Sequence, residues 1–514
     1  MSEKLFKSTA IVSMMTFISR ILGFARDIVI ARLFGAGLGA DVFFVAFKIP
    51  NFLRRLFAEG AFSQAFIPVL AEYRQSEDKD LKLLIANTSG TLAIILLAIT
   101  ALGVFSAPWL IMAFAPGFIE DPYKIGLAGN LLKITFPYLF FISLTALAGS
   151  ILNSFGKFAV PAFTPVFLNI SLISCAIFLS PHLDEPVTAL AWGVFIGGAV
   201  QLLFQIPFLL NIKQLPKPRW GWKDSGVRKI INLMIPAMFG VSVSQINLLL
   251  DTLLASFLVT GSISWLYYSD RLVEFPLGIF GIALATVILP SLSKKHASKS
   301  SDEFSHTIDW ALRWVFIIAT PAAIGLIWLA EPLLLTLFQY GEFSPEDAHS
   351  ASLSLKAYGL GLLPFIFIKV LAPAYYARQD TKTPVKIGII AMVTNMVLNI
   401  ILMMQFAHVG LALATALAAM LNAGLLYRGL RKRQIYQARK GWGRFMIKLL
   451  VPNTALLLLL AFFTPDSSTW VASTMWQRVG FLSALIASAI SIYFIALSLI
   501  GIKVKRLLKP STSH

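Results

Sequence analysis

The chain is a succession of long apolar runs separated by short polar connections. A helix needs roughly 20 apolar residues to cross a bilayer. The pattern predicts fourteen such helices, near residues 10–34, 41–57, 83–112, 125–150, 160–180, 187–211, 229–258, 263–291, 308–330, 350–376, 384–404, 408–430, 446–464 and 477–501. The runs are continuous. They are not the alternating segments of about ten residues that mark a membrane β-barrel. The expected fold class is therefore an all-α integral membrane protein, and no connection is long enough to form a soluble domain.

Composition narrows the function classes. Hydrophobic residues make up 57% of 514 positions and charged residues only 13%, whereas a soluble domain carries about a quarter charged. This excludes a soluble multidomain enzyme, a disordered chain and a disulfide-built secreted domain. The single cysteine, Cys175, lies in an apolar run and reads as a small core residue. The six histidines are scattered without ligand spacing, so neither a metal nor a cofactor is expected. Lys4 and Lys7 precede an apolar stretch, but Arg20 and Arg26 interrupt it, so the first span is expected to stay in place instead of being cleaved as a signal peptide. Residues 35–40, Gly-Ala-Gly-Leu-Gly-Ala, fit a dinucleotide-binding pattern but follow no strand. They read as a tight turn, with Asp41 capping the second helix.

The formal net charge is +18. In a soluble protein this would suggest nucleic acid; here it distributes as an orientation signal. With the N-terminus cytoplasmic, one set of segments carries Lys4 and Lys7, then Arg74, Lys79 and Lys82, then Lys157. Further along it carries the cations of 213–229, then Lys294, Lys295 and Lys299, then Arg378, Lys382 and Lys386, then those of 428–448. The tail adds Lys503, Lys505, Arg506 and Lys509. The opposite loops carry Glu120, Asp121, Asp184, Glu185, Glu342, Glu346, Asp347 and Asp466. An even number of spans places both termini in the cytoplasm. Trp109, Trp220, Trp222, Trp470 and Trp476 near span ends read as interfacial anchors.

A weak internal repeat is visible. Residues 43–70 and 265–292 share an aromatic cluster, a charged residue, small residues and a Pro-x-Leu ending at an offset of 222, with Pro68 matching Pro290 and Lys48 matching Asp270. This predicts two pseudo-symmetric six-helix lobes, 1–215 and 216–435, followed by two additional helices and a tail in 436–514. Repeated halves with a site between them are a common plan for secondary transporters.

The residues that do not fit a passive bundle are charged. Arg20, Arg26, Asp27, Arg32, Asp41, Lys48, Arg54, Arg55 and Glu59 fall within or beside the first two spans. A charge at mid-bilayer costs from about 3 kcal/mol upwards. Arg20 and Asp27 are seven residues apart and share a helix face; Asp41, Lys48 and Arg55 form a stripe at the same spacing. Asp270, Arg271 and Glu274 cluster in the eighth span, and Asp251 and Lys369 add two more charges to apolar runs. Some of these snorkel or form structural ion pairs. As a group they predict a wet, Arg-lined cavity. A guanidinium fork matches phosphate oxygens two at a time, so the expected substrate is anionic, most simply a phosphate or diphosphate.

The runs SRILGFARD (19–27), FFVAFKIPNFLRRLFAEGAFSQAFIPVLAEY (43–73), YYSDRLVEFP (267–276), FQYGEF (338–343) and LAPAYYARQDTKTPVK (371–386) resemble the MurJ (MviN) family of the multidrug/oligosaccharidyl-lipid/polysaccharide exporter superfamily. The resemblance spans essentially the whole chain. It implies a fourteen-helix protein of the bacterial inner membrane that moves lipid II, the undecaprenyl-diphosphate-linked cell-wall precursor, from the cytoplasmic to the periplasmic leaflet. Its expected partners are lipid II and membrane lipids, with cell-wall synthesis or division machinery as a further candidate and no nucleic acid. The resemblance places Arg20, Arg26, Arg54 and Arg271 around the substrate cavity. Lys48, Asn51 and Ser264 join them as contacts, and Asp27, Asp41, Glu59, Asp270 and Glu274 act as gating or charge partners. It also implies a groove for the polyprenyl tail on the last two helices.

The expected mechanism is alternating access without an ATP site, and the resemblance points to the membrane potential as the energy source. Competing readings are an exporter of drugs or of another polyprenyl-linked saccharide, a membrane enzyme acting on polyprenyl phosphates, and a non-transporting scaffold for cell-wall enzymes. A cation exporter calls for an acidic cavity, and an enzyme for a clustered His, Asp or Ser constellation; the sequence presents neither.

Overall fold

The computed structural model describes the backbone of residues 3–76, 80–298 and 300–502, and their side chains except at 3–10, 58–60, 239–244, 248, 282–283 and 285–287. Of the expected orientation charges, Lys79, Lys299, Lys503, Lys505, Arg506 and Lys509 lie outside these described residues, as do the side chains of Lys4 and Lys7.

Each of the fourteen windows is filled by helix among the described residues. We label them α1 (Glu3–Phe34), α2 (Leu38–Arg54), α3 (Leu81–Phe105), α4 (Pro122–Ser154), α5 (Ala159–His182), α6 (Thr188–Asn211) and α7 (Ser225–Ala255). Then come α8 (Ser262–Pro276), α9 (Ser301–Trp328) and α10 (Pro345–Tyr376). The arms of Lys382–Lys432 on either side of a break at Ala407 (φ 49°, ψ −130°) are α11 and α12. The last two are α13 (Trp442–Phe463) and α14 (Met475–Leu499).

Nine helices among the described residues are long and apolar enough to cross a membrane on length and composition alone, and the one broken at Ala407 fills two windows. The remaining windows belong to α1, α2, α7 and α8. Three of these, α1, α2 and α8, hold the site charges expected from the sequence.

Local chemistry sets many of the helix starts. Asp80, Asp121 and Asp224 each accept backbone N–H bonds at the first turns of α3, α4 and α7. Ser344 with Asp347 opens α10 as a capping box, and Thr474 with Gln477 opens α14 in the same way. These side chains satisfy donors that a helix start leaves without an intrahelical partner. The turn before α2 departs from the sequence expectation. Gly35 supplies its left-handed residue (φ 61°), but α2 begins at Leu38 with Gly37 at the cap and no side-chain bond there. Asp41 is already one turn inside the helix, so its carboxylate cannot reach the first amides of α2 and points elsewhere.

The repeat is legible in the element starts. Leu38 pairs with Ser262, Leu81 with Ser301, Pro122 with Pro345, Ala159 with Lys382, and Thr188 with His408, at separations of 220 to 224 residues. The two halves also share an irregularity. α2 does not end where its apolar window does; it runs through a wide π turn, Arg55–Phe62, into Ser63–Gln75. α8 likewise passes through a π turn, Leu277–Gly281, into Ile282–Ala297. Leu277 lies 222 residues after Arg55, the offset of the sequence repeat. Prolines precede both turns, at Pro50 and Pro276. A proline removes one helical donor and crowds the carbonyl four residues back, which relaxes the ladder into a wider turn.

The chain packs as two compact units that divide at Ser264/Trp265. In the first unit, Phe62 and Phe66 from the continuation of α2 meet Leu84 of α3, Ile151 of α4, Leu209 of α6 and Ile230 of α7 in one apolar cluster. The connection from α6 to α7 folds back on α3. Arg219 N–H donates to Ala86 O (3.0 Å), Gly221 N–H to the Thr91 hydroxyl (3.0 Å), and Asn87 to Asp224 (3.2 Å). Gly90 permits this approach, because a Cβ there would lie 2.2 Å from the Arg219 carbonyl oxygen. This strap joins α7 to the first unit by packing.

In the second unit, α10 lies against α9 and the α11–α12 pair. The two final helices are fastened at both ends. Buried Asp309 on α9 accepts from Tyr436 Oη (2.8 Å), Trp442 Nε1 (2.6 Å), Arg439 N–H (3.3 Å) and Arg313 Nε (2.9 Å). At the other end, buried Arg478 of α14 donates to the carbonyls of Ser473, Leu335, Gln339 and Val471 and to the Gln339 side chain (2.6 Å). Trp470, expected at the interface, is instead fully buried and donates to Thr336 (2.8 Å). Trp109, Trp220, Trp222 and Trp476 are exposed.

Candidate functional site

Within α1, Arg26 and Asp27 form a pair screened from the surface. Arg26 donates to Asp27 Oδ1 through Nη2 (2.7 Å) and Nε (3.0 Å), and through Nη1 to Asn169 Oδ1 of α5 (3.0 Å). The Asn169 amide in turn donates to the Ser19 carbonyl (3.2 Å). The side chains of Arg26 and Asp27 are only 11% and 2% exposed. A buried ion pair is tolerated when hydrogen bonds satisfy its remaining groups, and Asn169 does that here with a neutral amide. Asn169 was not singled out from the sequence. A polar amide inside the apolar run 160–180 is the signal that marks it.

Arg20, two turns earlier on α1, is exposed and makes no hydrogen bond or ion pair among the described residues. Arg32 is also exposed. Asp27 therefore engages its chain neighbour Arg26, while Arg20 stands apart.

On α2, Asp41 is buried and its carboxylate is fully engaged. Oδ2 accepts from Gly261 N–H (2.6 Å); Oδ1 accepts from Ser264 N–H (2.8 Å) and from the Ser264 hydroxyl (2.6 Å). Those amides belong to the start of α8, where backbone donors have no intrahelical partner. Asp41 thus caps α8 across more than two hundred residues of sequence, not its own helix. Charge at a helix N-terminus is favoured by the backbone dipole. Ser264, expected as a substrate contact, is fully buried in this arrangement.

Further along α2, Lys48 and Asn51 are half-buried, and Arg54 donates through Nε to Asn51 Oδ1 (2.9 Å). This bond spans one helical turn and aims the guanidinium. Glu59 sits in the π turn; its side chain lies outside the described residues. In the second unit, Asp270 is exposed, and Arg271 pairs with Glu274 one turn on (2.7 Å) while stacking over the Tyr267 ring at 5.0 Å. Both members of that pair are partly exposed, 34% and 47%. Lys369 is exposed and Asp251 half-buried.

The site residues thus sort by what holds them. Asp27 accepts two bonds from the Arg26 guanidinium, and Asp41 accepts three from Gly261 and Ser264. Arg26, Arg54 and Arg271 each have a partner in contact: a carboxylate and amide, an amide, and a carboxylate on the same helix face. Of these, only the Arg271–Glu274 pair joins partly exposed ionic groups; such a bond is worth about 0–1 kcal/mol, less than a charge-assisted bidentate contact to a phosphate.

A family model described as "Lipid II flippase MurJ" matches residues 30–481. The chain is 54% identical over 514 residues to a probable lipid II flippase MurJ of Vibrio cholerae, covering 98% of each sequence. It is 42% identical over 505 residues to the lipid II flippase MurJ of Burkholderia cenocepacia, covering 97% of this chain and 98% of that one. A solved structure of a lipid II flippase MurJ in an inward closed conformation matches with a TM-score of 0.81 at 29% identity, covering 97% of this chain and 99% of that one. An inward-facing multidrug resistance MATE family transporter of the MOP superfamily shares the fold, with a TM-score of 0.68 at 13% identity over 83% of this chain and 98% of that one.

Proposed function

The chain belongs to the lipid II flippase MurJ family, and from that premise we propose that it moves lipid II from the cytoplasmic to the periplasmic leaflet of the bacterial inner membrane. Lipid II carries a polar head that cannot cross hydrocarbon unaided and a polyprenyl tail that can stay within it. The observation that carries this reading is the set of charges on α1, α2 and α8, embedded in a chain that is otherwise apolar and held by partners that can be exchanged.

In this reading Arg20, Arg26, Arg54 and Arg271, with Lys48 and Asn51, receive the diphosphate and the groups next to it, and Ser264, buried against Asp41, would join them only on release of that bond. Asp27, Asp41, Glu59, Asp270 and Glu274 are their charge partners and gates. Arg20, exposed and without a bonding partner among the described residues, is free to meet the anion first. Arg271 follows by exchanging Glu274 for phosphate. Two six-helix lobes, 1–215 and 216–435, alternate access to the head group, and the additional helices of 436–514 accompany the tail. Both termini lie in the cytoplasm. The membrane potential supplies about 2.3 kcal/mol per elementary charge at 100 mV, enough to bias the return of the empty, cationic site. Cell-wall synthesis or division machinery is the class of protein partner this role calls for.

The test is depletion of the protein in cells followed by an assay of lipid II sidedness. Lipid II accumulating on the cytoplasmic side is the expected result; unchanged sidedness would refute the assignment. Reconstitution of the purified protein in liposomes, with lipid II set against another diphosphate-linked polyprenyl lipid, separates this function from that of an exporter of a different saccharide.

A further inference from the structure

Asn169 puts a polar amide into the apolar run of α5, where it is 6% exposed. Such a group is costly in a membrane helix unless both of its ends are bonded. Here both are. Nδ2 donates to the Ser19 carbonyl (3.2 Å), and Oδ1 accepts from Arg26 Nη1 (3.0 Å). A carbonyl on one side and a guanidinium on the other permit only this orientation of the amide. Ser19, Gly23 and Arg26 stand four and three residues apart, one above another on a face of α1. The amide lies across them: a Cβ at Gly23 would meet it at 3.7 Å.

The turn of α5 that carries Asn169 is itself firmly seated. Its neighbours Leu168 and Leu172 press on two glycines of α6. A Cβ at Gly197 would lie 3.1 Å from Leu168 Cα, and one at Gly193 3.0 Å from Leu172 Cα. The Ser171 hydroxyl donates to the Gly193 carbonyl (2.8 Å). Asn169 therefore reaches α1 from a fixed base, and what it fixes there is the guanidinium. The bonds from Arg26 Nη2 and Nε to Asp27 converge on one oxygen, Oδ1. Bonds that meet at a point set the plane of a guanidinium poorly. The Asn169 bond at Nη1 holds the planar group at a second point on its other side. A neutral amide does this without adding a second counter-charge, so Arg26 keeps more of its attraction for an anion than it would beside another carboxylate.

From these features we propose that Asn169 is a positioning residue for the substrate anion: it holds the Arg26 guanidinium in the orientation that meets the diphosphate, and it acts on substrate only through Arg26. The proposal rests on the reading that Arg26 receives the diphosphate. Its physical content is preorganisation. A donor already held in place by its neighbours has little freedom left to lose when the ligand arrives, so more of the contact energy appears as affinity.

The test is a double-variant cycle on the affinity for undecaprenyl diphosphate, measured with the full-length protein in detergent. Asn169→Leu, similar in size but without polar atoms, should weaken binding about tenfold, the worth of one hydrogen bond to a charged group. In an Arg26→Lys background, which has no Nη1, the same change should shift affinity by less than about twofold. Asn169→Ala gives the same comparison if the Leu variant does not fold. A residue that merely packs α5 against α1 would weaken both backgrounds equally. That result, or unchanged affinity in Asn169→Leu and Asn169→Ala, would overturn the proposal. Flipping of lipid II by the reconstituted protein is scored separately. Coupling between the two positions in a protein that does not flip supports the role of Asn169 and refutes the transport reading; flipping without coupling does the reverse.

Discussion

The bond set between Asp41 and the start of α8 offers a sharp quantitative test. In Asp41→Asn, one side-chain oxygen can still accept from the Ser264 amide and hydroxyl. The new NH₂ group then faces Gly261 N–H, which lay 2.6 Å from the lost oxygen. One charge-assisted bond disappears, two become neutral, and a buried donor is left unpaired. Bonds to charged groups are worth roughly 1.5–3 kcal/mol and neutral ones about 1, so the variant should lose about 3 kcal/mol. Ser264→Ala removes only the 2.6 Å hydroxyl bond and should cost about 1–2 kcal/mol. Both changes strike the same bond, so the double variant should lose less than the sum, with a coupling of about 1 kcal/mol. The measurement is the unfolding midpoint of purified protein in detergent for wild type, both single variants and the double. Strict additivity, or a wild-type midpoint for Asp41→Asn, would refute the capping role.

Arg271→Ala should abolish lipid II flipping in reconstituted vesicles while shifting the unfolding midpoint little, because its partly exposed pair with Glu274 is worth about 0–1 kcal/mol; normal flipping would remove the diphosphate role. Asp309→Ala strips an acceptor from four donors and should destabilise by about 3–5 kcal/mol, read as a lower unfolding midpoint and faster proteolysis within 433–441. Asp380, in the connection before α11, is held below the usual carboxylate range first by the Thr383 hydroxyl, which with the Thr383 amide and Arg433 outweighs the opposing effect of desolvation. A depressed carboxyl stabilises the fold above its unfolded pKa of about 3.9 and loses that contribution as pH falls through its lower folded value. The stability gap between wild type and Asp380→Asn should therefore stay constant from pH 7 to about 5 and close only in stronger acid; a gap that closes near neutrality would contradict this.

The helix windows were legible because hydropathy is a local property, and the repeat because it left a matching proline and charge pattern. What escaped was long-range. Nothing near Asp41 in sequence says that its acceptors serve amides at 261 and 264, so the local rule assigned it to its own helix. Arg26 and Asp27 were legible as charges out of place, but the amide that completes their shell comes from Asn169, 143 residues away. Trp470 looked like an ordinary interfacial anchor because a ring near a span end has the same sequence signature whether it faces headgroups or, as here, Thr336. Asp309 carried a usable clue, an arginine four residues on at Arg313 in an apolar window, yet its tyrosine and tryptophan partners come from a connection that reads simply as a basic loop.

The wide turns at Arg55–Phe62 and Leu277–Gly281 begin at the same residue of each copy. A helix carrying one surplus residue is inherited more economically than it is invented twice at one address. A surplus residue at one shared address is what two copies of a single repeated segment would each carry, so a change at either turn has a natural counterpart at the other to compare it with.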